Sequence, residues 1–250
     1  MLKIGLCGCN GRMGKVITDI VSKKENMQIV AGFDAYTEKL ADYPVYADPH
    51  EFTGACDVII DFSNVSSLDM LLDYCVKTKT PVIFCTTGYD KEQLAKIREA
   101  SAVIPVFRSG NMSIGINLMM DLLRKAATVL GDGYDVEITE KHHNQKLDAP
   151  SGTALMLADA VSEALPYDAE YVYDRHERRM KRPQNEIGIH SVRGGTIVGE
   201  HDIIFAGHDE VITLSHSAQS REVFAVGAVN AAVFLSGKPA GLYAMKDLIK

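Results

Sequence analysis

The 250-residue chain has no tryptophan and only five cysteines, and basic side chains are in the minority: 26 Lys and Arg stand against 33 Asp and Glu, a formal net charge of −7. Each shortage excludes a class. The cysteine count is odd and no Cys-x-x-Cys pair occurs, so neither a disulfide framework nor a zinc ribbon is indicated. Reduced thiols in a cytoplasmic compartment are expected, with Cys7, Cys56, Cys75 and Cys85 packed in apolar surroundings. The negative balance argues against sequence-blind nucleic-acid binding, although local basic groups can still dominate a cleft. No apolar run approaches the roughly 18 residues of a membrane span. Met1-Leu2-Lys3-Ile4-Gly5-Leu6 leads into a core strand without a signal-peptide layout. What remains, 46% hydrophobic and 24% charged, is an ordinary globular composition, long enough for one large or two modest domains.

Hydrophobic periodicity divides the chain. In the first half, strands predicted at 3–7, 27–33, 57–62, 81–85 and 104–107 alternate with helices. The first helix places Met13, Val16, Ile17, Ile20 and Val21 on one face; others follow at 66–78 and 91–102. Such alternation implies a parallel sheet covered on both faces, with ligands outside the carboxyl ends of its strands. From residue 113 the pattern changes. A long helix at 116–130, a strand at 135–143 and a helix at 154–165 precede strands at 187–192, 196–198, 202–205 and 211–217. Short turns between these strands predict an open, mainly antiparallel or mixed sheet. A helix at 221–235, a break at 237–241 and a short helix close the chain. The charged stretch 166–186 reads as a solvated connection. His190, His201, His208 and His216 lack ligand spacing and read as surface or packing histidines.

Two motifs carry chemistry. The first is Gly8-Cys9-Asn10-Gly11-Arg12-Met13-Gly14 between the first strand and first helix, with Asp34 closing the second strand. Glycines permit a tight turn and close approach of a pyrophosphate, the helix N-terminus receives phosphates, and the acid accepts from ribose hydroxyls. The spacing departs from the commoner Gly-x-Gly-x-x-Gly. Asp34 would repel the extra 2′-phosphate of NADPH and is followed by Ala35, not arginine, although Lys39 is near in sequence. NADH is therefore the expected preference, with NADPH as the alternative.

The second motif runs from Glu140 to Ala154: Glu140-Lys141-His142-His143-Asn144-Gln145-Lys146-Leu147-Asp148-Ala149-Pro150-Ser151-Gly152-Thr153-Ala154. Val136, Ile138, Glu140 and His142 share one face of a strand, and Ser151 reads as the N-cap of the next helix. Strand end, polar loop and helix N-terminus together form an anion-accepting arrangement beside titratable donors. His142, His143 and Asp148 are also metal-ligand types, but neighbouring strand residues point to opposite faces, and no metal is expected.

The pattern Glu-x-His-x-x-x-Lys-x-Asp-x-Pro-Ser-Gly-Thr-Ala resembles the signature of the 4-hydroxy-tetrahydrodipicolinate reductase (dihydrodipicolinate reductase) family of diaminopimelate and lysine biosynthesis. The Gly-x-x-Gly-Arg-Met-Gly turn, Ser220-Arg221-Glu222-Val223-Phe224-Ala225 and Gly241-Leu242-Tyr243 extend the likeness over the whole chain. Asn144-Gln145, where basic residues are common, and Cys85, where glycine is common, depart from the family pattern. The resemblance implies an α/β protein. A Rossmann-type dinucleotide-binding domain would occupy 1–112 and 222–250, and an α+β domain with an open mixed sheet, for substrate binding and oligomerisation, 113–221. It implies a homotetramer and a small cyclic dicarboxylate substrate. It places catalysis at His142 and Lys146, and substrate contact at His143, Gly152 and Thr153. Cofactor contact falls to Gly8, Cys9, Asn10, Gly11, Arg12, Met13 and Asp34, and to the Cys85-Thr86-Thr87 and Ser109-Gly110-Asn111-Met112 segments. The alternatives are another two-domain dehydrogenase, of aspartate or homoserine type, and a non-catalytic NADH sensor.

Overall fold

The computed structural model describes residues 1–249, which divide into two compact units: Met1–Ile114 with the chain from Glu222 onward, and Gly115–Arg221. The elements in chain order are β1 (Leu2–Cys7), α1 (Arg12–Ser22), β2 (Met27–Phe33), β3 (Val45–Tyr46), β4 (Val58–Asp61), α2 (Leu68–Thr78), β5 (Val82–Phe84), α3 (Lys91–Ala100), β6 (Pro105–Arg108) and α4 (Ile114–Leu130). They continue with β7 (Asp135–His142), α5 (Gly152–Ser162), β8 (Glu170–Val172), β9 (Glu186–Arg193), β10 (Gly199–Ala206), β11 (Val211–Ala218), α6 (Glu222–Leu235), β12 (Gly241–Tyr243) and α7 (Met245–Leu248).

The first unit is a doubly wound, Rossmann-type sheet of seven parallel strands in the order β12-β6-β5-β4-β1-β2-β3. Its central strands are near-continuous apolar runs because both faces are covered. Ile4, Leu6, Val58, Ile60, Ile83 and Phe107 pack towards α1 and α6; Ile59, Val82, Phe84 and Val106 pack towards α2 and α3. Fully burying each such side chain contributes about 1.5–3 kcal/mol. Strand order reverses between β1 and β4, which opens a crevice at their carboxyl ends.

In the second unit a five-stranded sheet runs β11-β10-β7-β9-β8. β7 pairs parallel with β9 and antiparallel with β10, so the sheet is mixed. Val136, Ile138, Ile187, Ile189, Ile203 and Phe205 form a core with Leu123 of α4 and Leu157 and Val161 of α5. The other face carries Glu137, Thr139 and Lys141, each partly exposed.

Three expectations are corrected. No strand forms at 196–198, where the chain turns from β9 into β10. The break at 237–241 ends in β12, whose three residues pair with β6. The 166–186 stretch is not simply solvated. It contains β8, and Arg175, Arg178 and Arg182 fold back onto Glu137 and the buried Glu186. Charge density alone does not distinguish a hydrated loop from one whose guanidinium groups neutralise carboxylates on the next strands.

Candidate active site

The glycine turn is built by backbone geometry. Gly8 has φ +74°, and a Cβ there would lie 2.5 Å from the Phe62 carbonyl oxygen. A Cβ on Gly14 would lie 2.3 Å from the Gly8 oxygen, so only glycine lets α1 approach the turn. Gly11 is the N-cap of α1 and supplies no side-chain acceptor, which leaves the first amides of the helix for an anion. Asp34 directly follows β2 and receives the N–H of Asn10 (3.0 Å) on one oxygen and that of Tyr36 (3.0 Å) on the other. The Asn10 amide in turn holds the carbonyls of Tyr36 and Glu38. Gly8, Asn10, Gly11 and Asp34 line a cavity of about 590 Å³ at the strand-order reversal.

A smaller cavity of about 360 Å³ follows the ends of β4 and β5 and is lined by Cys85, Thr86 and Thr87. It shares Phe62, Ser63 and Asn64 with the larger one. Between them lies Asp61, fully buried, a residue that sequence reasoning missed although it ends the apolar run Val58-Ile59-Ile60. It accepts from Thr86 Oγ1 (2.8 Å), Tyr89 OH (3.2 Å), the Ser63 N–H (3.0 Å) and the Ser63 hydroxyl. Burial pushes its carboxyl above the usual range against those four hydrogen bonds.

The remaining cofactor candidates line neither cavity. The Cys9 and Met112 side chains belong to the core, and Met13 packs against it. Arg12 is exposed. In the 109–112 segment, Ser109 Oγ donates to the Asn111 carbonyl (2.6 Å) and Asn111 Oδ1 accepts from the Ser113 N–H (2.9 Å). A Cβ on Gly227 of α6 would overlap the Met112 carbonyl oxygen at 1.7 Å, so a glycine in that helix seats the segment.

The second group is built by side chains. Alternation along β7 turns Glu140 and His142 inward and leaves His143 partly exposed. Glu140 is fully buried and receives Arg193 Nη1 and Nη2, each at 2.7 Å, one on either oxygen. It also accepts the Ser151 N–H (3.0 Å) and sits 2.6 Å from His142 Nδ1. Burial alone would raise its pKa; hydrogen bonds from Arg193, then His142, Ser191 and Ser151, overcome that and hold it at about 2. Burial depresses the His142 imidazolium below its ordinary range, Glu140 opposing and Lys146 and Arg193 adding to the effect. Lys146 Nζ pairs with Asp148 (2.8 Å). The Lys146 contact, assisted by the Gly152 N–H, keeps the Asp148 carboxyl low, so a carboxylate already faces the start of α5. Ser151 caps that helix by accepting from the Ala154 N–H (3.0 Å); Thr153 is its second residue.

Two members of this group escaped the sequence pattern. His201 on β10 is buried, with Nε2 3.1 Å from Ser151 Oγ and its ring 5.2 Å from that of His142. Burial first, then His142, lowers it to about 4. Arg193 closes β9. Both converge on the loop only because β9 and β10 flank β7. His208 is exposed and His190 pairs with Glu137 (2.7 Å). Among the described residues, no group of three or more His, Cys, Asp or Glu side chains is placed to hold a metal ion, and no helix is long and apolar enough to cross a membrane.

Family models for dihydrodipicolinate reductase match both parts of the chain, the N-terminus model over residues 2–112 and the C-terminus model over residues 115–249. The chain belongs to the dihydrodipicolinate reductase family. A 4-hydroxy-tetrahydrodipicolinate reductase from Caldanaerobacter subterraneus subsp. tengcongensis is 54% identical over 250 residues, covering 100% of this chain and 99% of the relative. The enzyme of that name from Clostridium tetani is 51% identical over 249 residues, with 100% and 97% covered. A dipicolinate-bound dihydrodipicolinate reductase from Paenisporosarcina sp. TG-14 shares the fold at a TM-score of 0.79 and 27% identity, over 98% of this chain and 97% of that one.

Proposed function

We propose that this member of the family is the NAD(P)H-dependent enzyme that reduces 4-hydroxy-tetrahydrodipicolinate, by way of dihydrodipicolinate, to tetrahydrodipicolinate in diaminopimelate and lysine biosynthesis. The observation that carries the reading is the full-length agreement, at 54% identity, with a relative of that name. The glycine turn, the cavity at the strand-order reversal and Asp34 fit a dinucleotide, with domain limits of 1–112 plus 222–250 for its binding and 113–221 for substrate and assembly. A reduced nicotinamide dinucleotide held by the glycine turn and Asp34 would supply the hydride for ring carbon C4 of the conjugated imine, leaving an enamine. His142 then delivers a proton to C3. Lys146 stabilises negative charge and assists the proton transfer. His143, Gly152 and Thr153 hold a substrate carboxylate where the Asp148 carboxylate now faces the helix start. The negative charge of a dicarboxylate opposes the cations that depress His142, so substrate binding promotes the acid form the reaction needs. No metal takes part in this scheme.

NADH is the preferred donor because Asp34 carries a charge that the 2′-phosphate of NADPH must face. Five free cysteines fit a cytoplasmic setting. The partly exposed face of the five-stranded sheet, with Val192 and Val211 at 44% and 63% exposure, suits pairing of copies into a homotetramer, which light scattering would check. The deciding experiment is dinucleotide oxidation with freshly generated hydroxy-tetrahydrodipicolinate, NADH and NADPH in parallel, on the wild type and His142→Gln. Turnover strictly dependent on the cyclic substrate, higher kcat/KM with NADH, and a fall of about 10²–10⁴-fold in kcat in the variant at unchanged NADH affinity are expected. Full turnover by His142→Gln would remove that residue from its role.

A further inference from the structure

We infer that Arg193 and Glu140 form a positioning pair that fixes the tautomer of His142, keeping a proton on Nδ1 so that Nε2 is the atom that gives and regains one. The inference rests on the reading of His142 as the proton donor and adds the device that orients it. Glu140 is fully buried, and its two oxygens are held in one plane by the guanidinium of Arg193. Arg193 also donates to the Asp148 carbonyl (2.7 Å), so the same side chain ties β9, the Glu140 carboxylate and the loop together.

A carboxylate that stays ionised has no proton to donate. The 2.6 Å contact from its Oε2 to His142 Nδ1 therefore requires the hydrogen to sit on the histidine, in the neutral and in the charged ring alike. An isolated imidazole carries its proton by preference on the other nitrogen, so Glu140 reverses the default. Nε2 is left as the titrating atom. A Cβ at Gly199 would come within 3.1 Å of it, so the glycine there keeps that nitrogen from being crowded.

The charged and titratable groups facing His142 are Glu140 on its own strand, Arg193 on β9, Lys146 on the loop and His201 on β10. Only Glu140 favours the imidazolium. Removing its charge makes the acid form of His142 harder to populate, and activity that needs a protonated donor is then lost at lower pH.

Two measurements test the pair. The first is the ¹⁵N spectrum of histidine-labelled wild-type protein at pH 8, which needs no substrate; comparison with His142→Gln identifies the resonance. A protonated Nδ1 and bare Nε2 are expected, and the reverse tautomer would overturn the inference even if the enzyme turns over. The second compares pH profiles of kcat for wild type, Glu140→Gln, Arg193→Met and Arg193→Lys, with NADH affinity as the folding control. Glu140→Gln is expected to lose 10–100-fold in kcat and to move the falling limb to lower pH. Arg193→Lys should recover part of what Arg193→Met loses. NADH binding retained with an unmoved pH limb in Glu140→Gln would refute the pair. A Glu140→Gln protein that no longer folds leaves the decision to the wild-type spectrum. Failure to reduce the cyclic substrate would instead count against the proposed reaction while leaving the tautomer measurement intact.

Discussion

The glycine turn of the first unit and the polar loop of the second, both proposed to receive anionic groups at the start of a helix, are built by opposite means. At the turn almost nothing is contributed by side chains: Gly8, Gly11 and Gly14 remove them, and α1 begins without a side-chain cap. At the loop Gly152 has open space around its Cβ position, and the site consists of side chains from three strands that neutralise one another. A site made of backbone tolerates pH and salt but not one added methyl. A site made of paired charges tolerates small steric changes but depends on protonation. The Gly8 Cβ position is 2.5 Å from a backbone oxygen that cannot swing aside, whereas Glu140 relies on hydrogen bonds from four residues to stay ionised inside a core.

The largest effect expected from this contrast is that of Gly14→Ala. Its Cβ would meet the Gly8 oxygen at 2.3 Å and the Cys9 oxygen at 2.4 Å, both backbone, so α1 must move off the turn. NADH affinity should fall by about 10–10²-fold, given that overpacking of this kind costs about 1–3 kcal/mol before any loss of contacts to the ligand. Gly152→Ala is the paired control. Nothing lies within 4 Å of that Cβ position, the N–H survives, and KM for the cyclic substrate should change less than about threefold. Titration calorimetry with NADH and steady-state kinetics read the two. Equal tolerance at both glycines would erase the distinction.

A second, intermediate effect concerns acid. Glu137 is pulled down to about 2, burial opposing and Arg175, His190 and Arg182 prevailing; Glu140 is likewise at about 2. A carboxylate with a depressed folded-state pKa adds stability that is complete above its unfolded value near 4.5 and is lost as pH falls towards 2. Asp61 in the first unit has the opposite sign: its pKa is raised by burial, so protonation on acidification relieves a cost. The second unit should therefore open first between about pH 4.5 and 2. Hydrogen exchange after an acid pulse should show 135–193 unprotected while 2–61 remains protected. Arg182→Met, which cuts contacts to Glu137 and Asp135, should bring that opening to higher pH and cost about 2–3 kcal/mol. Simultaneous opening of both units would deny that the ion network governs the second.

The same contrast explains what could be read from the chain alone. The alternation of the first half was legible because parallel strands buried on both faces are apolar runs, and the glycine spacing because backbone constraints act within a few residues. The inward face of Val136, Ile138, Glu140 and His142 was legible for the same local reason. Arg193 and His201 were not: each lies some fifty residues from its partner, and only the order β10-β7-β9 brings them to one loop. Nothing local marks Arg193 as part of the site, and His201 reads as a surface or packing histidine. Arg175, Arg178 and Arg182 looked solvated because the carboxylates that hold them lie partly on a different strand. The two-residue β3 and three-residue β8 and β12 were too short for periodicity to register.

The smallest effect returns to the turn and asks whether it is purely a backbone device. Asp34 is the carboxylate there with a proposed ligand role, and it is also structural, since its oxygens take the N–H groups of Asn10 and Tyr36. Asp34→Asn removes the charge but keeps an acceptor for one of those amides. If charge sets cofactor choice, the ratio of kcat/KM for NADPH over NADH should rise by about tenfold, the size of a partly screened repulsion between a carboxylate and a phosphate. That gain should shrink at high salt, because the repulsion is exposed to solvent ions. If Asp34 acts instead by holding the Asn10 and Tyr36 amides, both cofactors should weaken together and salt should leave their ratio alone. A ratio that moves with salt makes the turn a backbone site with one electrostatic selector. A ratio that does not makes it a backbone site throughout, and cofactor choice must then be sought outside Asp34.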